Sequence, residues 1–552
     1  MLQRNSNIIL SFLLLCFACG AFCVMYGTAI LNPTNTDIPN SGDILQHHLG
    51  WLAFRNNPWF FPIGMFNSLT YPNPISIIYT DSIPLLAVFF KILSPLLPVN
   101  FQYWGIWGLL CLVLQAYFGA KIICCFSDDR IIIFCGTIFL ILSPILIYRL
   151  YGHESLAAHW IILAALYLFF RELTGKAYNF RKECLIWLLL GGLTVSIHLY
   201  FLPMVGLILG ANVFYKIFFT KNIKSISLIG TYCISAILTI ALLGGFSHYG
   251  ASYNGKGISL FSFNLNGFIN PITTNISGVA NSLHSSRFFP SLPHEEWQYE
   301  GFSYIGAGMI LLSMLSMVFV IFDCFRKKKK KTHFSNKIIV TILLFITSVL
   351  IALSPRIQLG NSCIIDYQTI IPTFILDFWG IFRSTGRFIW IAYYIIFIGN
   401  IFIISKYTKG GFKYAILIVS VVIQLIDFSD FFLQRKMVNE QDLFTLHEKN
   451  ASQNIFSSKQ YKHIIIDSNS NFTDKDYYTI AALAIQNNLT LNYFWLVHNT
   501  NEIEPIIDFQ EDCIYVFNKD FIRSHEQEYP LRFYEYENYV WGIVEYPNNL
   551  FR

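Results

Sequence analysis

Charged residues are scarce in this chain of 552 residues, where aspartate, glutamate, lysine and arginine together make up 13%. Soluble domains carry about 25%, so the deficit excludes a chain that is water-soluble along most of its length. Hydrophobic residues reach 54%, and the mean hydropathy is +0.49. This composition predicts that lipid is the solvent for most of the chain.

Other features are missing as well. No basic stripe occurs, because residues 326–331 supply much of the net charge of +5, so we predict no nucleic-acid partner. No cysteine pair has the CxxC…CxxC spacing of a zinc site, and most of the twelve cysteines lie in apolar runs. A disulfide between Cys363 and Cys513, both outside the predicted spans, stays open. We find no fixed-period repeat and no low-complexity linker.

About eleven apolar runs are long enough to cross a membrane, at ~20 residues each. The first, at 8–31, follows Arg4 and is longer than a signal-peptide core, so we predict an uncleaved span with a cytoplasmic N-terminus. The shorter run at 83–98 contains Lys91 and three prolines, and we expect it to be interfacial or re-entrant. The other ten predicted spans are 101–126, 130–148, 154–171, 184–200, 201–219, 225–246, 302–323, 336–354, 387–405 and 413–428.

The distribution of lysine and arginine, which are enriched in cytoplasmic loops, supports this count. Under it, nearly every basic cluster is cytoplasmic, including the five consecutive lysines at 327–331. We therefore predict a membrane domain at 1–430 and a periplasmic domain at 431–552. The four long segments on the predicted outer face are 32–100, 247–301, 355–386 and 429–552.

The last segment is soluble in composition. Strand-like runs at 462–467 and 512–518 flank a helical stretch at 477–487, which predicts a small α/β domain. The predicted fold class is therefore mainly α. It is a polytopic membrane helix bundle with interfacial helices in the first outer loop, 32–100, and a small C-terminal α/β domain.

The first outer loop carries polar residues that a membrane scaffold alone does not need. From Asp43 to Arg55, apolar side chains recur at three- and four-residue intervals, which predicts a short amphipathic helix in the membrane interface. Gln46 and His47 belong to this helix. Asp43 at its N-terminal end is either a cap, worth about 1 kcal/mol, or a catalytic carboxylate.

A second acidic residue, Asp81, precedes another helical run in the stretch Tyr79-Thr80-Asp81-Ser82-Ile83-Pro84. Because proline stands near the start of that run, helix capping is the simpler explanation. The alternative is a second acidic site residue or a cation ligand.

The turn after the third predicted span contains Arg149, His153 and His159. Arg149 could simply extend to the membrane surface. The two histidines are too far apart for a helical metal pair. His159, however, falls inside an apolar run, where ionisable groups are usually paired or functional.

Two further charged motifs border predicted spans. Glu300 stands among aromatic residues directly before a span, which favours a packed site at the membrane surface. Arg383 and Arg387 fall on one helix face if the next span begins there. A guanidinium at the depth of Arg387 costs about 2.5–3.5 kcal/mol on insertion. We therefore expect an anionic partner for Arg387, either a lipid headgroup or a bound phosphate.

This layout and these motifs resemble the GT-C class of integral-membrane glycosyltransferases, in an uncharacterised bacterial branch. The architecture is also similar to that of the glucosyltransferases that modify O-antigen, and the resemblance covers essentially the whole chain. The stretches that carry it are Gly42-Asp43, Gln46-His47, Gly50-Trp51, Phe54-Arg55, Pro58-Trp59, Tyr79 to Pro84, Glu300 to Tyr304 and Phe382 to Phe388.

The resemblance implies an inverting hexosyltransferase of the bacterial inner membrane. It would move a sugar from a polyprenyl-phosphate carrier to a periplasmic glycan acceptor such as the O-antigen of lipopolysaccharide. Class members place a general base soon after the first span, which points to Asp43 with Asp37 as the substitute. Some members use a divalent cation and others do not. The implied phosphate and substrate contacts are Arg383, Arg387, Arg149, Asp81, His153, Glu300, Gln46 and His47.

Other functional classes stay open. A transporter of lipid-linked saccharides predicts broken helices and repeat symmetry, and we find no repeat. A polysaccharide polymerase or ligase would also bind polyprenyl carriers through outer arginines, but it would not require a single-sugar donor. A non-catalytic envelope scaffold would leave glycan mass unchanged when Asp43 is replaced by alanine.

Overall fold

The structure is a computed structural model of the chain. It describes every residue except 1, 37–42, 151, 248–257, 275–282, 327–334, 439–455, 457–459, 471, 497–502, 504–505, 507, 537–538 and 545–552. Asp37, the substitute for the base, therefore lies outside the described residues. The chain divides into two compact units. The first comprises Met1–Asn35, Gln102–Leu238 and Asn254–Gln441, and the second comprises Thr36–Phe101, Thr239–Tyr253 and Asp442–Arg552.

The chain is mainly helical, as its composition predicts. Short 3-10 helices lie between several of the α-helices and are named below by their residues. The α-helices of the described residues are α1 (Leu2–Tyr26), α2 (Asp43–Asn56), α3 (Pro84–Ile92), α4 (Trp104–Ile123), α5 (Arg130–Ile141), α6 (Pro144–Arg149), α7 (Trp160–Leu173), α8 (Phe180–Ile197), α9 (Phe201–Thr220), α10 (Ile226–Leu243), α11 (Ala307–Arg326), α12 (Asn336–Leu353), α13 (Thr373–Gly380), α14 (Ile389–Tyr407), α15 (Gly410–Asp427), α16 (Ser429–Val438), α17 (Asp474–Gln486) and α18 (Lys519–His525).

Strands are few and fall into four sheets. Three of these are two-stranded antiparallel pairs, β1 with β2, β3 with β4, and β5 with β6. The strands are β1 (Met65–Phe66), β2 (Ile75–Ser76), β3 (Thr273–Thr274), β4 (Leu283–His284), β5 (Arg356–Leu359), β6 (Ser362–Asp366), β7 (His463–Ile466), β8 (Thr490–Leu491), β9 (Cys513–Asn518), β10 (Leu531–Tyr536) and β11 (Tyr539–Val544).

Nine helical segments of the described chain are long and apolar enough to cross a membrane. All eleven predicted runs are helical, but two of them do not meet both criteria. The helix α8 begins with the charged residues Arg181, Lys182 and Glu183, and α11 has a shorter apolar part, Ala307–Asp323. The nine segments are Ile8–Tyr26, Trp104–Ile123, Arg130–Arg149, Glu154–Leu173, Phe201–Thr220, Ile223–Leu243, Asn336–Leu353, Thr385–Tyr407 and Gly410–Asp427.

The candidate spans differ in how much of their surface the protein covers. Arg130–Arg149, Glu154–Leu173 and Thr385–Tyr407 are 83%, 78% and 72% buried, whereas Ile8–Tyr26 and Ile223–Leu243 are each 22% buried. A helix that is apolar all round and buried belongs to the interior of a bundle. The three buried segments therefore form the core of the first unit, and the other two expose most of their apolar surface.

Polar side chains of α15 anchor the start of α11. Asp427 is fully buried and accepts hydrogen bonds from the Tyr304 hydroxyl and the Ala307 backbone N–H, both at 2.8 Å. Gln424 accepts one from the Met309 N–H at 3.0 Å. Because the first N–H groups of a helix have no intrahelical partner, these bonds hold the chain that leads from Glu300 into α11.

The second unit contains a five-stranded mixed sheet in the order β10-β11-β9-β7-β8. The strand β7 runs parallel to both β8 and β9, and the other two pairings are antiparallel. Two of these strands and α17 coincide with the runs predicted at 462–467, 512–518 and 477–487. A small C-terminal α/β sheet region is thus confirmed.

The helix α2 corrects the prediction of an amphipathic helix at the membrane interface. It begins at Asp43 as expected, but ten of its residues are buried, including Gln46, His47 and His48. It packs against α17, α3 and the 3-10 helix Ile77–Thr80. An interfacial helix keeps a solvated polar face, whereas α2 is enclosed by protein on most sides.

The stretch around Asp81 also differs from the prediction. Asp81 ends the 3-10 helix Ile77–Thr80 with a φ of 55°. The residue in the N-cap position of α3 is Ile83, so the expectation that Asp81 occupies that position is wrong. Pro84 does occupy the first turn, and α3 has nine residues. At 1.5 Å per residue it is too short to cross a bilayer, as predicted for 83–98.

The two units divide the chain differently from the predicted boundary near residue 430. Residues 36–101 of the first outer loop belong to the same unit as the C-terminal residues. Within that unit, the N–H of Tyr71 donates to Leu491 O at 2.7 Å, and the N–H of Leu491 donates to Ser68 O at 2.8 Å. Cys363 and Cys513, for which a disulfide was left open, are both free thiols.

Candidate functional site

Glu300 binds two arginines in the first unit. Arg387 donates to it from Nε and Nη2, each at 2.7 Å, and Arg149 donates from Nη2 at 2.5 Å. The three side chains are 6–8% exposed. We call them the arginine cluster. The anionic partner expected for Arg387 is therefore, within the described chain, a carboxylate of the protein itself.

Each member of the cluster comes from the end of a different element. Arg149 is the last residue of α6, and Arg387 belongs to the 3-10 helix Thr385–Phe388 that leads into α14. Glu300 belongs to the 3-10 helix Glu296–Gly301, which begins with a reciprocal capping box between Glu295 and Gln298. Such a box satisfies two backbone donors at once and sets where this short helix begins.

A contact between two glycines allows Glu300 and Arg387 to meet. A Cβ atom on Gly386 would lie 2.7 Å from the Gly301 Cα and 2.8 Å from the Phe261 carbonyl oxygen. The Gly386 N–H donates to that same oxygen at 2.9 Å. Only residues without a side chain permit backbones to approach this closely. The glycine beside each charged residue is thus part of the site.

The cluster carries a net positive charge. Burial raises the pKa of the Glu300 carboxyl, but the Arg149 and Arg387 guanidiniums lower it more and hold this pKa well below its ordinary value. Glu300 is therefore ionised at neutral pH. Two guanidiniums and one carboxylate leave one positive charge at a buried position, which attracts an anion.

Aromatic rings surround the two guanidiniums. The Arg387 Cζ lies 4.3 Å from the centre of the Tyr200 ring, and the Tyr200 hydroxyl accepts a hydrogen bond from the Ser384 N–H at 2.9 Å. The Arg149 Cζ lies 5.1 Å and 5.5 Å from the centres of the Tyr148 and Trp390 rings. Rings at these distances stabilise a cation and hold each guanidinium in one orientation.

Arg383 contacts a different aromatic ring from Arg387. The expectation that Arg383 and Arg387 share one helix face is wrong, because the 3-10 helix begins at Thr385, after Arg383. The Arg383 Cζ lies 4.6 Å from the centre of the Phe261 ring. Its buried Nε has no hydrogen-bond partner among the described residues, so this guanidinium keeps capacity for an acceptor.

The first unit also contains buried histidines. His153 is buried, its Nδ1 lies 3.1 Å from the Ser155 hydroxyl, and its ring centre lies 5.1 Å from that of His198. His159 is fully buried, with Nδ1 2.9 Å from the Tyr394 hydroxyl and its ring centre 4.2 Å from that of Trp390. The intramembrane His159 is thus paired, as its position predicts, and Trp390 contacts both His159 and Arg149.

In the second unit, two of the sequence motifs come together. A Cβ atom on Gly50 of α2 would lie 2.6 Å from the Thr80 Cβ. The Ser82 hydroxyl donates to the His47 carbonyl oxygen at 2.7 Å. Burial lowers the pKa of the adjacent His48 to about 4, so that imidazole is neutral at pH 7. Gly50 and Ser82 thereby hold the Asp81 turn against α2.

The Asp81 turn brings metal-ligating atoms close together. A ring nitrogen of His47 and a carboxylate oxygen of Asp81 lie within 4.8 Å of each other. Imidazole nitrogen and carboxylate oxygen both bind divalent cations. Mg²⁺ commonly takes only one or two protein ligands and completes its shell with water and substrate phosphate. The pair therefore offers one nitrogen and one oxygen ligand of the kinds that bind divalent cations.

Asp43 has a neighbour that the sequence did not indicate. Burial raises the pKa of Tyr478 in α17, and the Asp43 charge raises it further.

Gln46, two residues from His48, is 2% exposed and its Oε1 has no hydrogen-bond partner among the described residues. A buried unsatisfied acceptor is uncommon in native structures, so Gln46 is a candidate contact for a ligand donor.

Sequence reasoning missed several of these residues. Tyr200, His198, Trp390 and Tyr394 lie in apolar runs, where an aromatic residue or histidine has no distinctive spacing. The glycine next to Glu300 and the glycine next to Arg387 were a usable signal. A charged residue adjacent to glycine at the end of a span marks a place where backbones come close.

The nine candidate membrane-spanning segments among the described residues are compatible with a multi-pass membrane protein. The chain belongs to the DUF6311 family, described as a domain of unknown function, whose model matches residues 14–429. The matched range includes all three residues of the arginine cluster. A comparison with curated proteins found no match.

Proposed function

We propose that this protein is an inverting glycosyltransferase of the GT-C class, which transfers a sugar from a polyprenyl-phosphate carrier to a periplasmic glycan. The observation that carries the proposal is the buried arginine cluster with its one excess positive charge. A lipid-linked sugar phosphate is an anion that arrives from the membrane. The resemblance of the sequence motifs supplies the class and the type of carrier.

In the proposed reaction, a hydroxyl oxygen of the acceptor attacks the anomeric carbon of the donor sugar. The bond from that carbon to the phosphate oxygen breaks, and its electron pair leaves with the phosphate. A phosphodiester has one negative charge, whereas the released monoester carries about −1.5 to −2 at pH 7. A positive cluster therefore stabilises the transition state and the product more than the ground state.

Arg387 and Arg149 are the proposed phosphate ligands, with Arg383 as a third. Glu300 takes the role of a positioning residue, because it orients both guanidiniums of the cluster through three hydrogen bonds. Bidentate arginine geometry suits phosphate as well as carboxylate. An incoming phosphate would then share the two guanidiniums with Glu300 rather than bind an unpaired charge.

Asp43 is the proposed general base, which accepts the proton of the attacking hydroxyl. His47 and Asp81 would hold a divalent cation if the enzyme uses one, and such a cation would supply positive charge. One displacement inverts the anomeric centre, so no second nucleophilic carboxylate is required. We further propose the bacterial inner membrane, with the N-terminus in the cytoplasm and the C-terminal domain in the periplasm.

The test is mass spectrometry of the surface polysaccharide from cells with wild-type protein, with the gene deleted, and with single variants. Arg387→Lys keeps the charge but loses the bidentate fork, and Asp43→Asn removes the base. We expect both variants and the deletion to lose one hexose-sized mass from the glycan. The matched control is Arg171→Lys, because Arg171 packs on Tyr178 in another part of the first unit.

Membrane insertion of each variant is measured on the same cells by quantitative immunoblotting. Full glycan mass in both Arg387→Lys and Asp43→Asn would refute the proposed roles of these residues. An unchanged glycan mass with an altered chain length in the deletion strain would favour a polymerase or ligase instead. A change in surface amount alone would favour a transporter.

A further inference from the structure

Residues 355–384, between α12 and the span that begins at Thr385, expose several apolar side chains. We call this the hairpin–helix segment, because it contains the β5–β6 hairpin and α13. Ile370, Phe374 and Phe378 are 80%, 71% and 74% exposed. A cluster of this kind, unlike single exposed residues, marks an interaction surface. About half exposed in the same segment are Leu359, Ile364, Ile365 and Ile381.

The helix α13 packs little on the rest of the chain. It has eight residues, and only Gly380 is buried. Isolated helices shorter than about 12–15 residues are marginal in water, and most helical stability comes from packing of an apolar face. The apolar residues of α13 therefore need a surface other than the described part of the chain to pack against.

The two ends of the hairpin–helix segment meet at one point. The Ser354 and Thr385 hydroxyls are 2.6 Å apart, and the Tyr367 hydroxyl donates to the Ser354 carbonyl oxygen at 3.2 Å. Ser354 directly follows the candidate span Asn336–Leu353, and Thr385 opens the next one. The hairpin–helix segment therefore begins where one candidate span ends and ends where the next one begins. This places both of its ends at the level of a membrane surface.

The hairpin has one polar side and one apolar side. Gln358 is 3% exposed and accepts a hydrogen bond from Gln298. Asn264 donates to the Gly360 carbonyl oxygen at 2.8 Å and accepts from the Gly360 N–H at 3.0 Å. Polar contacts thus bind the hairpin to the protein, while Leu359, Ile364 and Ile365 stay about half exposed.

We propose that the hairpin–helix segment inserts its apolar side chains into the interface of the lipid bilayer. Phenylalanine and isoleucine at the end of a span match the chemistry of the acyl-chain boundary, and continuity with two spans places them beside it. Among the described residues β6 pairs only with β5. Unpaired backbone is excluded from the hydrocarbon core, so the side chains, not the hairpin backbone, reach below the headgroups, about 5–10 Å.

This inference does not depend on the proposed glycosyltransferase activity, because it follows from the exposed surface and the adjacent spans alone. A segment anchored in the interface holds the stretch from Arg383 to Arg387 at the depth of lipid phosphates. The insertion would restrict how far this stretch moves relative to the membrane.

The test uses the full-length protein in phosphatidylcholine–phosphatidylglycerol vesicles, with the photoreactive residue p-benzoylphenylalanine at a single position. Phe378 is the first test position, and Phe374 is tested in a separate protein. Leu238, 63% exposed on α10, is the membrane reference. Asp520 is the aqueous reference, because its side chain is 94% exposed on α18. After illumination, mass spectrometry measures the fraction of protein that carries a covalent lipid.

We expect lipid adducts at Phe378 and Phe374 in a yield comparable with that at Leu238 and far above that at Asp520. A yield at both test positions as low as that at Asp520 would overturn the inference. Crosslinks to a second copy of the chain in place of lipid would also overturn it, and they would identify the segment as a subunit interface. Because both side chains are mostly exposed, the substitution leaves the packed part of the segment intact.

Discussion

Two buried ion clusters in the first unit have opposite charge. In the arginine cluster, two guanidiniums share the Glu300 carboxylate. In the second, which we call the lysine cluster, the Lys216 ammonium lies 2.6 Å from Glu183 and 2.9 Å from Glu172. It joins α7, α8 and α9, with side chains 5–11% exposed. One cluster has a net charge of +1 and the other of −1.

The two clusters differ in whether their charge can change. A guanidinium stays protonated at all ordinary pH values, so the arginine cluster is permanently positive. A carboxylate in surplus can instead take up a proton. Burial raises the pKa of Glu183 above its ordinary value even though Lys216 lowers it, whereas the pKa of Glu300 is held well below its ordinary value. A permanent positive charge favours anion binding. A carboxylate that can lose its negative charge by protonation is easier to bury between packed helices.

The largest expected effect comes from removal of the central charge of each cluster. Glu300→Gln removes the carboxylate that the two buried guanidiniums share, and we expect a loss of about 3–5 kcal/mol in the free energy of unfolding. Lys216→Met should lose less, because burial already raises the pKa of Glu183, and this carboxyl can become neutral by protonation. Denaturant unfolding of the purified protein in nanodiscs measures both variants. An equal or larger loss for Lys216→Met would contradict this explanation.

A smaller effect is expected from the glycine contact that only the arginine cluster has. Gly386→Ala places a methyl group against the Gly301 and Phe261 backbones, and we expect a loss of about 1–3 kcal/mol. The matched control is Gly399→Ala in α14, where no atom lies within 4 Å of the added Cβ. That variant should be neutral or more stable by up to about 1 kcal/mol. Equal unfolding free energies for the two variants would show that the contact is not tight.

The next difference between the clusters is expected in how the stability of each variant depends on pH. In Lys216→Met the buried Glu183 carboxyl has a higher pKa in the folded than in the unfolded protein, so stability should rise as pH falls from 7 towards about 5. Each unit of pKa difference corresponds to about 1.4 kcal/mol. Glu300→Gln should show no such recovery, because guanidiniums do not titrate there. Thermal unfolding monitored by tryptophan fluorescence at several pH values gives both profiles.

In the wild-type protein, Glu300 itself should add no pH dependence over that range. Its folded pKa lies below that of the unfolded chain, so its contribution is present above the unfolded pKa and is lost only as pH falls through the folded one. A wild-type stability that drops between pH 7 and about 5, and no longer drops in Glu300→Gln, would show that Glu300 titrates there.

The smallest effect is expected at an exposed ion pair. Its comparison with Glu300→Gln measures how much burial increases the unfolding free energy that is lost with one charge. Lys462 and Asp512 in the second unit are 3.2 Å apart, with side chains 68% and 34% exposed. Asp512→Asn should change the unfolding free energy by about 0.2–1 kcal/mol, and less at high salt. A loss as large as that of Glu300→Gln would mean that exposure does not govern these interactions.

Local patterns in the sequence predicted much of the fold. The long apolar runs, the short run at 83–98 and the strands of the C-terminal sheet all follow from composition and periodicity over a few residues. The environment of α2 was predicted wrongly, because the spacing of its apolar residues does not distinguish a lipid interface from protein packed on several sides. The Asp81 turn was predicted wrongly as a cap, because a left-handed residue at that position has no clear signal in the sequence.

The candidate site was predicted only as separate parts. Glu300, Arg149 and Arg387 each stood out as a charge at the end of an apolar run, and an anionic partner for Arg387 followed from the insertion cost of a guanidinium. That Glu300 is this partner did not follow, because the residues are far apart in sequence and charge alone does not specify pairing. The roles assigned to Asp43 and to the phosphate ligands stay predictions.

The sequence by itself determined which parts of the chain prefer lipid and which prefer water, because transfer free energy is a property of residue composition. It also determined where charged residues interrupt apolar runs. Only the tertiary structure decided which charges neutralise each other, because that depends on the close contact of Gly301 with Gly386. Tertiary structure likewise decided which apolar side chains the protein covers and which, as in α13, remain exposed.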